Sequence, residues 1–111
     1  DCVGFAYRKD LFEDPKNKEA FKAKYGKELE VPKTWDDFQK VAEFFTRPDG
    51  SLYGAALFYA KEYDGATMGF DQVLWAFGGK LNDGNGKVEG VLNDANGVKA
   101  LEFYAGLKKF C

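Results

Sequence analysis

The sequence contains no histidine, and it has only three prolines and one methionine among 111 residues. Without histidine the chain lacks the commonest general base, the Ser-His and Cys-His nucleophile systems and the ligand of most zinc sites. The remaining catalytic candidates are two carboxylate pairs, Glu62 with Asp64 and Asp36 with Asp37. The second pair falls in the first turn of a predicted helix, where the helix dipole already accounts for it. We therefore predict that the chain is not an enzyme and needs neither a cofactor nor a metal.

Basic patches and long apolar runs are also missing. The formal net charge is -2, and acidic and basic residues are interspersed, so no basic stripe is available for a phosphate backbone. No apolar run approaches the roughly 20 residues that span a membrane, and no leader-like segment opens the sequence. We expect neither a nucleic-acid partner nor direct insertion into a membrane.

The chain length and the two cysteines bear on domain organisation. A chain of 111 residues with 45% hydrophobic content suffices for one core, so a single domain over 1–111 is expected. Cys2 and Cys111 lie at opposite ends, and we predict a disulfide between them. Closing so long a loop stabilises a fold by roughly 4–5 kcal/mol in the chain-entropy model. Such a bridge fits an oxidising compartment or an engineered staple, and two unrelated free thiols are the alternative.

The hydrophobic pattern predicts an α/β fold, with a short sheet packed by about four helices and a small hairpin. The short apolar, aromatic run 3–8 suits a buried strand, and the run 53–59 lacks alternation, which is typical of a strand covered on both faces. The Asp-Gly-Asn-Gly run at 83–86 marks a tight turn, which favours a hairpin between 80–81 and 88–92. The fold class is therefore predicted as α/β.

Four helices are predicted from caps and apolar stripes. Asp14 caps the first, Thr34 the second and Asn93 the last. They are expected at Pro15–Tyr25, from Thr34 to before Pro48, at about 68–77 and at 93–110. The last helix has an unusually wide apolar arc, which predicts burial from more than one direction.

The segment 58–75, called here the aromatic segment, contains the predicted binding surface. It joins the second predicted strand to the third helix, and open α/β sheets hold ligands where a strand's carboxyl end meets a helix. Aromatic rings offer flat, amphipathic contact area, and neighbouring acids can bond hydroxyl groups, which suits a sugar or polyol. The predicted ligand-binding residues are Tyr59, Glu62, Tyr63, Asp64, Met68, Asp71 and Trp75.

Helical spacing separates part of this set from the core. Met68, Asp71 and Trp75 lie off the stripe that is expected to be buried, so they would face a second partner. Gln72 is an alternative to Asp71, and Lys61 is a further candidate for bonding hydroxyl groups. The competing interpretation is that the aromatic residues of this segment are ordinary core.

Five stretches then match a known family in order and spacing. They are Tyr-Arg-Lys-Asp-Leu-Phe at 7–12, Pro-Lys-Thr-Trp-Asp-Asp-Phe at 32–38, Leu-Tyr-Gly at 52–54, Trp-Ala-Phe-Gly-Gly-Lys-Leu at 75–81, and 93–104. Together they cover nearly the whole chain. The sequence resembles the family-1 extracellular solute-binding proteins of bacterial ABC importers, a group that includes maltose- and other sugar-binding proteins.

The resemblance implies a protein with two α/β lobes, joined by hinge strands, that holds its ligand in the cleft and releases it to a membrane permease. This chain would be the middle of the carboxy-terminal lobe, one subdomain of a periplasmic-binding-protein type II lobe. The loop and helix start that follow the 53–59 strand would line the cleft. The implied role is uptake of a carbohydrate or polyol in the periplasm or outside the cell, including as a cell-surface lipoprotein.

Several features depart from this implied picture or leave alternatives open. The stretch 17–29 is longer than the short link that many members have before the Pro-x-Thr-Trp motif, and terminal cysteines are not a family feature. An isolated lobe is expected to bind ligand weakly or not at all, because lobe closure buries most of the ligand. The alternatives are a protein-interaction module and a binding protein for a non-sugar ligand such as glycerol phosphate.

Overall fold

The computed structural model describes residues 3–111, and their regular structure is helical. The chain forms two compact units, of which one ends at Ala55 and the other spans Ala56–Cys111. The helical elements are α1 (Lys9–Glu13), α2 (Pro15–Tyr25), α3 (Trp35–Phe45), a π-helical turn (Gly65–Phe70), α4 (Asp71–Ala76), α5 (Ala95–Leu107) and a 3-10 turn (Lys108–Phe110). Among the helices of residues 3–111, none combines the length and apolar character that a membrane crossing needs.

The prediction of an α/β fold is wrong. Residues 3–111 contain no strand and no sheet, and the predicted strands 3–8 and 53–59 carry no ladder of hydrogen bonds. An apolar run reports a side-chain preference, whereas a strand also requires a neighbouring backbone with which to pair. The predicted hairpin is wrong as well: the Asp83 N–H donates to the Lys87 carbonyl at 3.1 Å and closes a turn, but the flanking residues do not pair as strands.

The helix caps predicted in the first unit are confirmed. The Asp14 carboxylate accepts the Lys16 N–H at 2.9 Å, and α2 ends at Gly26, which adopts a left-handed φ of 67°. Thr34 Oγ1 accepts the Asp37 N–H at 3.1 Å and caps α3. The Asp37 carboxylate accepts a bond from the Thr34 hydroxyl at 2.9 Å, where a capping-box side chain would ordinarily take the backbone N–H. These two helices therefore begin at the positions that their capping residues predict.

The core of the first unit is formed by rings and aliphatic side chains from its helices and from the link 27–33. The buried members are Phe12, Phe21, Leu29, Val41 and Phe45. Ring packing is mostly edge to face, as between Phe21 and Phe44, with centroids 5.2 Å apart and planes at 86°. The predicted core face of α3 is buried at its carboxyl end and half-buried at Trp35 and Phe38.

The predicted strand 53–59 starts against α3 without pairing as a strand. Thr46 Oγ1 donates to the Ala42 carbonyl at 2.7 Å and accepts the Gly54 N–H at 3.0 Å. A Cβ on Gly54 would lie 2.7 Å from Ala42 Cα, so only glycine permits this approach. A threonine side chain therefore supplies the partner that a second strand would have provided.

The second unit packs α4 against α5. Val73 and Leu74 of α4 and Ala100 of α5 are fully buried. Leu107 of α5 is nearly so. Tyr104 and Phe110 are also buried, whereas Val98 and Leu101 are exposed, so only part of the predicted wide arc is covered.

Both helix starts in this unit differ from the prediction. The helix predicted from about Met68 is preceded by the π-helical turn from Gly65. The cap of α5 is Asp94, whose Oδ1 accepts the Gly97 N–H at 2.8 Å, and not Asn93, whose side chain accepts the Gly90 N–H at 2.6 Å. Both residue types cap helices well, and the turn before the helix decides which one does so.

Candidate functional site

Two tyrosines hold the start of the aromatic segment against α5. The Tyr59 and Tyr104 rings stack with centroids 4.7 Å apart and planes at 27°. The Tyr59 hydroxyl donates to the Tyr104 carbonyl at 2.7 Å, and the Tyr104 hydroxyl donates to the Phe58 carbonyl. Buried hydroxyl groups need partners, and here each finds one on the backbone of the opposite segment. The tyrosine pair thus fastens residues 58–59 where the sequence predicts a strand in a sheet.

Two buried glycines let the π-helical turn approach the same segment. A Cβ on Gly69 would lie 2.7 Å from the Phe58 carbonyl oxygen, and one on Gly65 would lie 3.0 Å from the Ala60 carbonyl carbon. Any larger residue would push the turn away from residues 58–60. Single π-helical turns are rare and are often found at functional sites. This turn leads directly into α4 and holds the start of that helix close to residues 58–60.

Four of the predicted ligand-binding residues are exposed together along the segment. Tyr63 is 78% exposed and Trp75 is 59% exposed. The carboxylates of Glu62 and Asp64 flank Tyr63 in the chain and are also exposed. The segment therefore presents aromatic rings and negative charges to solvent, and the ligand-binding role of these residues stays a prediction.

The other three predicted residues are less exposed. Tyr59 is half-buried and bonded to α5, and Met68 is half-buried at the π-helical turn. Gln72, the predicted alternative to Asp71, donates from Nε2 to the Met68 carbonyl at 2.6 Å. Asp71 is only 9% exposed, and its carboxylate has no hydrogen-bond or ion-pair partner within residues 3–111. Burial without a partner raises the pKa of Asp71, because the charged form loses hydration.

Replacing Asp71 by asparagine is expected to stabilise the folded chain at neutral pH. A folded-state pKa above the ordinary 3.8 means that the fold favours protonated Asp71, so the contribution of this group is most favourable below 3.8. Stability is lost as the pH rises to the folded-state pKa and stays reduced above it. Urea denaturation over a pH series should show the Asp71→Asn advantage at neutral pH and its decline toward acid.

The exposed Asp64 is the matched control for this series. Asp64→Asn should change the urea midpoint little at any pH, because this carboxylate keeps its hydration in the folded state. If Asp71→Asn were the less stable protein at neutral pH, the carboxylate would have to gain a favourable partner on folding.

Cys111 lies at the same end of the second unit as the tyrosine pair. Its thiol donates to the Leu107 carbonyl at 3.6 Å, and burial raises the pKa of the thiol. Burial and the neighbouring thiol raise the pKa of Tyr59 and of Tyr104 as well. Cys111 forms no disulfide within residues 3–111, and Cys2, its predicted partner, lies outside the described residues. The disulfide therefore stays a prediction.

Tyr104 is the residue of this region that the sequence reasoning missed. The apolar arc of α5 places it in the core, which is correct. Its hydroxyl also bonds the carbonyl that precedes Tyr59, 46 residues away. The sequence does contain a signal for this bond. A core position that needs only bulk can be filled by phenylalanine, so a tyrosine there indicates that its hydroxyl group has a hydrogen-bond partner.

The rest of the described chain offers no metal site but has a groove. Within residues 3–111, no three side chains of the His, Cys, Asp and Glu types are grouped so that they could hold a metal ion. A shallow groove in the first unit runs beside the link 27–33 and is lined by both acidic and basic side chains. None of the predicted ligand-binding residues lines that groove.

One of the three comparisons with known proteins found a match. A family model described as bacterial extracellular solute-binding protein matches residues 3–110. Searches of curated proteins and of solved structures found no match. The family match spans nearly the whole chain and confirms the resemblance at the level of the family. This chain therefore belongs to the bacterial extracellular solute-binding protein family.

Proposed function

We propose that the chain forms one wall of the ligand cleft in a carbohydrate- or polyol-binding protein of an ABC importer. Family membership supports extracellular solute binding for ABC transport. The observation that supports a carbohydrate or polyol as the ligand is the exposed surface of the aromatic segment, which contains Tyr63, Trp75, Glu62 and Asp64.

The chemistry of this surface suits a ligand with an apolar face and a rim of hydroxyl groups. An exposed tyrosine or tryptophan ring can cover the C–H face of a sugar ring at low entropy cost. Carboxylates accept hydrogen bonds from hydroxyl groups and fix the orientation of the ligand. Tyr63 and Trp75 would supply the stacking, and Glu62 and Asp64 the hydroxyl contacts.

The buried members of the predicted set would act beneath that surface. Tyr59 would hold the segment in place through its bond to the Tyr104 carbonyl. Met68 and Asp71 would shape the floor between the turn and α4, with Asp71 becoming bonded when a ligand hydroxyl reaches it. A nearly buried acid without a partner gains from such a bond, because part of its hydration is already lost.

The assignment of the chain to the carboxy-terminal lobe rests on the order of its motifs, from 7–12 to 93–104. A single wall covers only part of a ligand, whereas small-molecule sites bury most of the ligand surface. We therefore propose weak binding by this chain alone, and tight binding only when a second lobe closes on it. The same proposal places the protein in the periplasm or outside the cell, with a permease as its partner and no reaction catalysed.

Titration with sugars and polyols tests this function through Trp75. In a Trp35→Phe background, all tryptophan fluorescence comes from Trp75, because the sequence contains two tryptophans. We expect saturable quenching with a millimolar dissociation constant. Trp75→Ala should abolish binding measured by calorimetry without lowering stability, since this side chain is mostly exposed.

Two tyrosine substitutions distinguish a loss of binding at the proposed surface from the general effect of removing an exposed ring. Tyr63→Ala should weaken binding, whereas Tyr53→Ala, which removes an equally large exposed ring from the first unit, should leave it unchanged. A micromolar constant for the chain alone would contradict the half-cleft proposal. An increase in mass with a protein partner, in the absence of sugar binding, would favour the protein-interaction alternative.

A further inference from the structure

The chain contains two Asn-Gly dipeptides, Asn85-Gly86 and Asn96-Gly97. In such a pair the backbone nitrogen of glycine can attack the asparagine side-chain carbonyl carbon, because no Cβ obstructs the approach. Asparagine is one of the chemically labile residues for this reason. The sequence alone makes the two dipeptides equivalent, and the structure does not.

Asn85 lies in an exposed turn in which the attacking nitrogen, that of Gly86, is not held by a hydrogen bond to any residue of 3–111. The Asn85 N–H donates to Asp83 Oδ1 at 2.7 Å, and the Lys87 N–H donates to the same oxygen at 3.1 Å. Between them, the Gly86 N–H has no hydrogen-bond partner among the described residues. Gly86 is exposed, and nothing lies within 4 Å of the place where its Cβ would be. The turn can therefore adopt the conformation that brings this nitrogen to the side chain.

Asn96 lies in the first turn of α5, where the equivalent nitrogen is occupied. The Gly97 N–H donates to Asp94 Oδ1 at 2.8 Å, the bond that caps the helix. Gly97 is buried, with the Leu92 carbonyl carbon 3.0 Å from its Cβ position. Helical dihedrals keep the Gly97 nitrogen away from the Asn96 side chain, so reaction there requires the helix start to open.

We propose that Asn85 is a site of spontaneous deamidation and isomerisation in the folded protein, and that Asn96 is protected. The Gly86 nitrogen loses its proton to solvent base and attacks Asn85 Cγ. The N–Cγ bond forms, the Cγ–Nδ2 bond breaks, and ammonia leaves with a proton from solvent. Water then opens the resulting cyclic imide at either carbonyl, which yields aspartate or isoaspartate without any redox step.

The product changes both the charge and the geometry of the turn. A carboxylate replaces a neutral amide beside Asp83, and one negative charge is added to a chain whose net charge is already -2. The isoaspartate form also lengthens the main chain by one carbon inside the turn closed by the Asp83 N–H and the Lys87 carbonyl. The change is confined to exposed residues, so the packing of α4 against α5 should survive it.

Tryptic mapping tests the proposal because trypsin separates the two dipeptides. Cleavage after Lys80, Lys87 and Lys99 places Asn85 in peptide 81–87 and Asn96 in peptide 88–99. The folded chain is held in mildly alkaline buffer, and samples are digested over time and analysed by fragmentation mass spectrometry. We expect conversion at Asn85 to be faster than at Asn96 by on the order of tenfold or more, because α5 must open first.

Two controls keep the result interpretable. In concentrated urea both asparagines should convert at similar rates, since the bond from the Gly97 N–H is then lost. Asn85→Gln should stop conversion at position 85 and leave Asn96 slow, because the larger ring forms far less readily. Equal rates at the two positions in the folded chain, or faster conversion at Asn96, would overturn the proposal.

Discussion

Replacing Gly69 by alanine is expected to lower the free energy of unfolding by about 1–3 kcal/mol or more. The added methyl would lie 2.7 Å from the Phe58 carbonyl oxygen and would also meet the Tyr104 hydroxyl. The Phe58 carbonyl is backbone and accepts the bond from that hydroxyl, so it cannot move without loss of the bond. The turn must therefore shift away from residues 58–60, and urea denaturation should record a lower midpoint.

Gly106 is the matched control for this substitution. It lies in α5, its φ is not left-handed, and nothing lies within 4 Å of its Cβ position. Gly106→Ala should therefore stabilise the chain by about 0.5–1 kcal/mol, through the better helix propensity of alanine. The two identical substitutions are expected to have opposite signs. Stabilisation by Gly69→Ala would show that the π-helical turn does not pack closely on residues 58–60.

Replacing Leu74 by alanine is expected to cost about 2–5 kcal/mol, since leucine-to-alanine changes in cores remove both contacts and volume. Leu74 has no exposed surface and belongs to α4, the helix that packs against α5. A loss of this size is a large part of the roughly 5–15 kcal/mol that stabilises a typical domain. The substitution should therefore leave the second unit marginally stable or unfolded at room temperature.

Leu101 provides the control with the same change of residue on the surface. It is 56% exposed on α5, so Leu101→Ala should alter stability by no more than about 0.5 kcal/mol. Similar losses for the two leucines would contradict the burial pattern of the second unit.

The two tryptophans allow each unit to be followed separately in these experiments. Trp35 belongs to the first unit and Trp75 to the second. With Trp35→Phe or Trp75→Phe as the background, one unit alone reports its unfolding by fluorescence. Coincident transitions in the two backgrounds are expected for the single domain predicted from the length of the chain. In the Trp35→Phe background, Leu74→Ala should shift the Trp75 transition, whether or not the two transitions coincide.

Prediction from the sequence was most accurate where the determinants are local. Asp14 and Thr34 cap α2 and α3 as predicted, because each cap joins residues two or three positions apart. The cap of α5 was misplaced by one residue, since Asn93 and Asp94 are both good caps and only the Gly90 turn distinguishes them.

The strands were mispredicted because their determinants are distant. The runs 3–8 and 53–59 have the composition of buried strands, yet pairing depends on which backbone lies beside them. Within the described chain, side chains take that place: Thr46 bonds Gly54, and Tyr104 bonds the Phe58 carbonyl. Neither partner is visible in the run itself.

The candidate site divides in the same way. Helical spacing placed Trp75 away from the buried Val73 and Leu74, which is what the structure has. It did not separate Asp71 from Trp75, although one is almost fully buried and the other exposed. Spacing assigns a residue to a side of a helix, whereas burial depends on what covers that side.

The sequence by itself determined the absence of histidine chemistry, the caps of α2 and α3 and membership of the solute-binding family, because each depends on composition or on nearby residues. Only the tertiary structure decided that residues 58–59 are fastened by a tyrosine pair 45 residues apart, that Asp71 is nearly buried and that the Gly97 N–H after Asn96 is bonded to Asp94. The first two properties depend on contacts between residues that are distant in the sequence, and tertiary packing decides which of those contacts form.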